Sequence, residues 1–138
     1  MSLTNFERRA VAALAASLPT GWQLFTMVDT KRPAGNLEAV IQLPDQKFIT
    51  IEIKDWTLPA KSFLQGADGN PHKKNVLAQL EGQRFTLLAV AGILWLPRAG
   101  KAPSLSLKKL HIFHGDAFDL VQFINSFLQP KENHHERI

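Results

Sequence analysis

Glu38, Glu52 and Lys54 fall within the stretch Asn36 to Trp56, NLEAVIQLPDQKFITIEIKDW, in which two apolar segments flank Pro44-Asp45-Gln46. The second segment alternates: Lys47, Ile49, Ile51 and Ile53 belong to one side of a strand, and Phe48, Thr50, Glu52 and Lys54 to the other. The isoleucine row asks for a core, so packing does not account for the two charges that close the opposite row. A three-residue hairpin loop at Pro44-Asp45-Gln46 sets Leu43 against Lys47 and brings Glu38 opposite Glu52. A two-residue loop would shift the register by one and remove Glu38 from that face. The three-residue loop is the expected one because it keeps Leu37, Ala39, Ile41 and Leu43 on the isoleucine side. Opposed residues in such a ladder have Cβ atoms about 4.5–5.5 Å apart, and like charges there repel. Two carboxylates so placed need a cation, a proton or access to water. A divalent metal ion is the option that would do chemistry.

The elements that must position these groups read as follows. Thr4 to Leu18 has helical spacing, with Phe6, Ala10, Ala13, Leu14 and Leu18 as its apolar stripe and Pro19 as its end. Glu7 admits two readings: the return partner of Thr4 in a capping box, or a carboxylate directed along the helix toward the sheet. Trp22 to Val28 reads as the first strand, Asp29 to Gly35 as a polar loop, and Thr57 to Pro71 as a long connection. Lys74 to Phe85 is expected to be a helix, capped by Asn75, with Val76, Leu77 and Leu80 apolar and Gln79 and Gln83 repeating on another side. A wet helix face explains those glutamines as readily as a chemical role does. Thr86 to Leu96 reads as a strand, Pro97 to Ser104 as a loop and Leu107 to Phe113 as a short strand. The last helix, amphipathic with Phe118, Val121, Phe123, Ile124 and Phe127, runs from Asp116, its N-cap, to Leu128. The fold class is α/β: helix, three strands, helix, strand, then a strand and a helix. One domain spans residues 1–130, and 131–138 form a polar tail.

Composition bounds the function classes. The 138 residues suffice for one core, and the absence of cysteine excludes disulfides, thiolate metal sites and a cysteine nucleophile. The longest apolar run, Leu87 to Leu96, is broken by Gly92 and ends at Pro97, well short of a membrane span. No secretory pattern opens the chain, so the cytoplasm is the default expectation, with no membrane partner. A net charge of +4 and a pI near 9.6 favour polyanionic partners without establishing one. His111, His114, His134 and His135 are too scattered for a histidine metal cluster, and no phosphate loop or serine elbow is present.

Glu7 in FERRAVAAL, Glu38 in NLEAVIQLP, Glu52-Ile53-Lys54 followed by Asp55-Trp56, and Asn75-Val76-Leu77-Ala78-Gln79 succeed one another in that element order. Together they resemble the PD-(D/E)xK, restriction-endonuclease-like nuclease superfamily, and within it the nuclease-related domain (NERD) group. The resemblance runs from Glu7 to about Trp95. The three-residue E-x-K is common by chance; its place at the end of a buried strand, one hairpin after an acid, carries the weight. Position 38 is glutamate where the pattern usually has aspartate, and Val76 stands where the group has proline.

The resemblance implies an αβββαβ core with a mixed sheet flanked by helices, plus a C-terminal strand and helix. It also implies Mg²⁺- or Mn²⁺-dependent hydrolysis of phosphodiester bonds in nucleic acid, DNA above all. Glu38, Glu52 and the Ile53 carbonyl would hold the metal ion, and Lys54 would orient the attacking water or neutralise the transition state. Glu7 and Gln79 would assist from flanking helices, while Lys73, Lys74 and Arg84 would meet the phosphate backbone. A homodimer is compatible with the resemblance, since many nucleases of this fold cut two strands as a pair. The alternatives are a catalytically inactive nucleic-acid-binding module on the same fold and a protein-interaction domain in which Glu52 and Lys54 form an ordinary ion pair.

Overall fold

The computed structural model describes residues 3–29, 36–56, 71–98 and 105–128. Among these the order is α1 (Asn5–Ser17), β1 (Gln23–Asp29), β2 (Asn36–Gln42), β3 (Phe48–Ile53), α2 (Pro71–Leu87), β4 (Ala91–Leu96), β5 (Leu105–Leu107), β6 (Leu110–His114) and α3 (Ala117–Leu128). The fold is α/β, with one six-stranded mixed sheet in the order β1-β2-β3-β4-β6-β5. β1, β2 and β3 run antiparallel in sequence. β4 is parallel to both β3 and β6, and β5 closes the edge antiparallel to β6.

The hairpin between β2 and β3 has the three-residue loop and the expected register. Leu43 N–H donates to the Lys47 carbonyl at 2.8 Å, and Gln46 N–H to the Leu43 carbonyl at 2.9 Å. Gln42, Ile41, Val40 and Ala39 then pair with Phe48, Ile49, Thr50 and Ile51. Gln46 takes φ +75 to close the loop, a conformation that normally calls for glycine or asparagine. The Asp45 carboxylate supports the loop by accepting from Lys47 N–H at 3.1 Å.

The alternation of β3 produces two cores. On one face Ile49, Ile51 and Ile53 join Ala39, Ile41, Leu43, Ile93 and Trp95 beneath Ala10 and Leu14 of α1 and Leu120, Val121 and Ile124 of α3. On the other, Leu94, Leu96 and Ile112 meet Val76 and Leu80 of α2. The result is a three-layer sandwich, the arrangement a sheet with two apolar faces requires. A Cβ at Gly92 would stand 3.0–3.2 Å from Leu110, Leu80 and Thr50 atoms, so glycine there lets α2 sit close to the sheet.

Several boundaries differ from those the sequence suggests. Asp29 belongs to β1. Thr86 and Leu87 extend α2 instead of opening β4, and α2 already begins at Pro71. The single strand expected at Leu107 to Phe113 is a hairpin, β5 and β6, turning at Lys108-Lys109, so two strands and not one precede the last helix. In α1 the residue packed beside Ala10 and Leu14 is Val11, while Ala13 is exposed. In α3 Phe118 is 61% exposed, and Ala117 and Leu120 take the inward places. Asp116 does cap α3, its carboxylate accepting from Asp119 N–H at 2.8 Å. The expected loops at 30–35, 57–70 and 99–104 and the tail at 131–138 lie outside the described residues.

Candidate active site

Glu52 ends the row on the α2 face of β3, beside Leu94 of β4. It is 6% exposed. Its Oε2 is 3.2 Å from the Lys54 ammonium. Its Oε1 is buried with no hydrogen-bond partner among the described residues. Lys54 continues the β3–β4 ladder through its N–H, which donates to the Trp95 carbonyl at 3.1 Å. Its ammonium lies 5.7 Å from the centre of the Trp56 ring, which walls the site on one side.

Glu38 reaches this point across a parting of two strands. The β2–β3 ladder ends at Ala39 and Ile51, and Glu38 Oε1 accepts from Ile53 N–H at 2.6 Å. Because the peptide is trans and planar, the Ile53 carbonyl points opposite to Lys54 N–H, and therefore away from β4 toward Glu38. Two carboxylates, one main-chain carbonyl and one ammonium thus converge at the end of β3.

Glu7 fills the capping-box reading. Its Oε1 accepts from Thr4 N–H at 2.9 Å and its own N–H donates to Thr4 Oγ1 at 3.1 Å, the reciprocal pair of a capping box. The same carboxyl is near enough to Glu38 to bear on its charge. Burial, then the charge of Glu52, push the Glu38 carboxyl up to about 8 against the opposing Ile53 N–H bond, with Glu7 adding to the rise. Burial also raises Glu52, while the Lys54 ammonium pulls it back down.

The remaining expected residues stand as follows. Gln79 lies on the exposed side of α2, whereas Gln83 is fully buried. The spacing Val76, Leu80, Gln83 is one helical stripe, so extending the apolar pattern by seven residues points to the glutamine that turns inward. Arg84 is committed within the fold: Nε and Nη2 donate to Glu81 at 2.8 and 2.7 Å and Nη1 to the Ala89 carbonyl at 2.9 Å. With Glu81, Lys108 and Lys109 it lines a cavity of about 350 Å³ near the start of β4, toward the other end of the strands from Lys54. Lys73 and Lys74 lie within α2, but their side chains are outside the described residues. His111 is held by Ser106 at 2.7 Å and by an edge contact with Phe123, on the face away from Glu52.

A metal ion fits this donor set in a specific sense. A buried carboxylate oxygen with no donor is costly, and a hard cation relieves that cost. Among the described residues no group of three or more His, Cys, Asp or Glu side chains is arranged to hold a metal ion. The two carboxyls and the Ile53 carbonyl are hard oxygen donors, the class of ligand that Mg²⁺ takes alongside its waters. No helix among the described residues is long and apolar enough to cross a membrane. Comparison with protein-family models, curated proteins and solved structures finds no match to this chain.

Proposed function

We propose that the chain is a metal-dependent nuclease with a restriction-endonuclease-like core, hydrolysing phosphodiester bonds of nucleic acid, with DNA the favoured substrate. One observation carries the reading: the buried Glu52 carboxylate has one oxygen on Lys54 and the other with no partner among the described residues, beside a second buried carboxyl. A protein-interaction surface has no use for that arrangement, because a solvated ion pair contributes only about 0–1 kcal/mol and leaves no oxygen buried. Glu38, Glu52 and the Ile53 carbonyl would hold Mg²⁺ or Mn²⁺. When bound, such an ion polarises a phosphoryl oxygen and acidifies a water. Lys54, on the same face as Glu52, offers donors to the attacking water or to the charge that grows on the phosphate. Ile53 N–H fixes Glu38, and the Trp56 ring limits the positions open to the ammonium.

The test uses supercoiled plasmid and single-stranded DNA with Mg²⁺, Mn²⁺ or EDTA, for wild type, Lys54→Ala and Glu52→Ala. Wild type is expected to cut with either metal and not with EDTA. Lys54→Ala should lose at least about a hundredfold in rate, the scale of one transition-state donor, while retaining DNA binding. Salt-sensitive binding with no cleavage in any metal would instead identify an inactive binding module.

A further inference from the structure

Glu38 is the one residue of β2 with no register partner in either neighbouring strand. β1 pairs with β2 from Gln23↔Gln42 to Asp29↔Asn36 but skips Met27 against Glu38. On the other side the β2–β3 ladder stops one residue short of it. Continued by two residues, that ladder would pair Ile53 with Leu37, yet Ile53 N–H goes to the Glu38 side chain. Opposite this gap Met27 takes φ +55, a left-handed backbone that glycine and asparagine tolerate and other residues adopt only under constraint. Backbone strain of this kind gathers where a fold holds a functional group off its regular path.

We infer that Met27 is a positioning residue. Its left-handed backbone opens the β1–β2 pairing at Glu38, which lets β2 part from β3 and the Glu38 carboxyl enter the gap between Ile53 N–H and Glu52. The catalytic consequence rests on the nuclease reading; the placement of Glu38 does not. Regular pairing at position 27 would draw Glu38 back into the ladder and return Ile53 N–H to the main chain of Leu37.

Three variants separate these states. Met27→Gly and Met27→Asn keep positive φ accessible, whereas Met27→Val disfavours it strongly. The readouts are the amide shift and hydrogen exchange of Ile53 by nuclear magnetic resonance, Mn²⁺ affinity by calorimetry, and plasmid cleavage. Met27→Val should move the Ile53 amide and weaken Mn²⁺ binding roughly tenfold, the scale of losing a group that orients a metal ligand. Cleavage should fall with it. Met27→Gly and Met27→Asn should match wild type in the Ile53 amide and in Mn²⁺ affinity, and Met27→Gly should melt higher. Should Met27→Val fail to fold, Met27→Gly decides: a wild-type Ile53 amide supports the inference, and loss of the bond overturns it. A folded Met27→Val with unchanged Ile53 amide and Mn²⁺ affinity also overturns it. If wild type neither binds Mn²⁺ nor cuts DNA, the nuclease reading fails, while the Ile53 amide still reports on Met27.

Discussion

Glu38 and Glu52 are buried close enough to raise each other's cost of ionisation, with Glu7 adding to it, and pH acts on that burial. Glu38 titrates near 4.5 in an unfolded chain and at about 8 in the fold, because burial and the Glu52 charge both disfavour its anion. Between those values the folded protein holds more protons than the unfolded one. Stability therefore decreases as pH rises, by up to about 1.4 kcal/mol per unit for one group. This contribution is complete below pH 4.5 and gone above about 8. Glu52, also raised by burial, acts in the same direction. Glu81 is lowered by its hydrogen bonds from Arg84, so its contribution is lost only at more acidic pH, outside this window. Buried His111, lowered by desolvation, acts in the opposite sense below its ordinary value near 6.5, so in EDTA the melting temperature should fall from pH 7 to pH 8, and Glu38→Gln should flatten that slope and melt higher than wild type at pH 8. Mg²⁺ added at pH 8 should raise the wild-type melting temperature more than that of Glu38→Gln. A wild-type profile in EDTA that rises or stays level over this range counts against the buried site.

At the scale of elements, the four non-glycine residues with positive φ among the described residues explain what could and could not be read from the chain: Met27, Gln46, Leu88 and Lys108. Gln46 follows Pro44-Asp45, a turn signal that composition does display, and the register of β2 and β3 was legible for that reason and because the isoleucine row admits only one pairing. The convergence of Glu38, Glu52 and Lys54 was legible with it. The other three positions carry ordinary residues where a turn or break usually shows glycine or asparagine. Leu88 ends α2: Leu88 N–H donates to the Phe85 carbonyl at 3.1 Å and Ala89 N–H to the Arg84 carbonyl at 2.9 Å, which together form a Schellman motif. With leucine at that position the helix and the following strand read as one apolar run, which is why Thr86 and Leu87 were expected in β4. Lys108 hides the β5–β6 turn, and Met27 hides the opening beside Glu38. Leu88 is 79% exposed, so its side chain contributes little packing. Leu88→Gly should then stabilise the protein by about 1 kcal/mol, from relief of the left-handed conformation, measured by urea unfolding with an unchanged slope. A loss of stability would mean that the exposed leucine is held by contacts that outweigh the strain.

For the whole molecule, the crossover from β3 to the parallel β4 decides which basic residues can serve the site. α2 must return from the end of β3, where Glu52 and Lys54 lie, to the start of β4, so its first turn is nearest the carboxylates and its last turn farthest. Arg84 is eleven positions beyond Lys73, about 16 Å along the helix axis at 1.5 Å per residue, and its guanidinium is already shared between Glu81 and the Ala89 carbonyl. The net charge of +4 still favours a polyanion, and on the nuclease reading the phosphate contacts are expected from the first turn of α2 and not from the last. The logarithm of DNA affinity, measured in EDTA to prevent cleavage, should fall linearly against the logarithm of salt concentration, with a slope of roughly 0.9 per phosphate neutralised. Lys73→Ala and Lys74→Ala should each make that slope shallower by about one contact. Arg84→Ala should leave it unchanged while lowering stability by about 1–3 kcal/mol through loss of the charge-assisted bonds at the helix end. If Arg84→Ala reduces the salt slope and the two lysine variants do not, nucleic acid engages the cavity at the start of β4, and the carboxylates at the end of β3 lie away from its path.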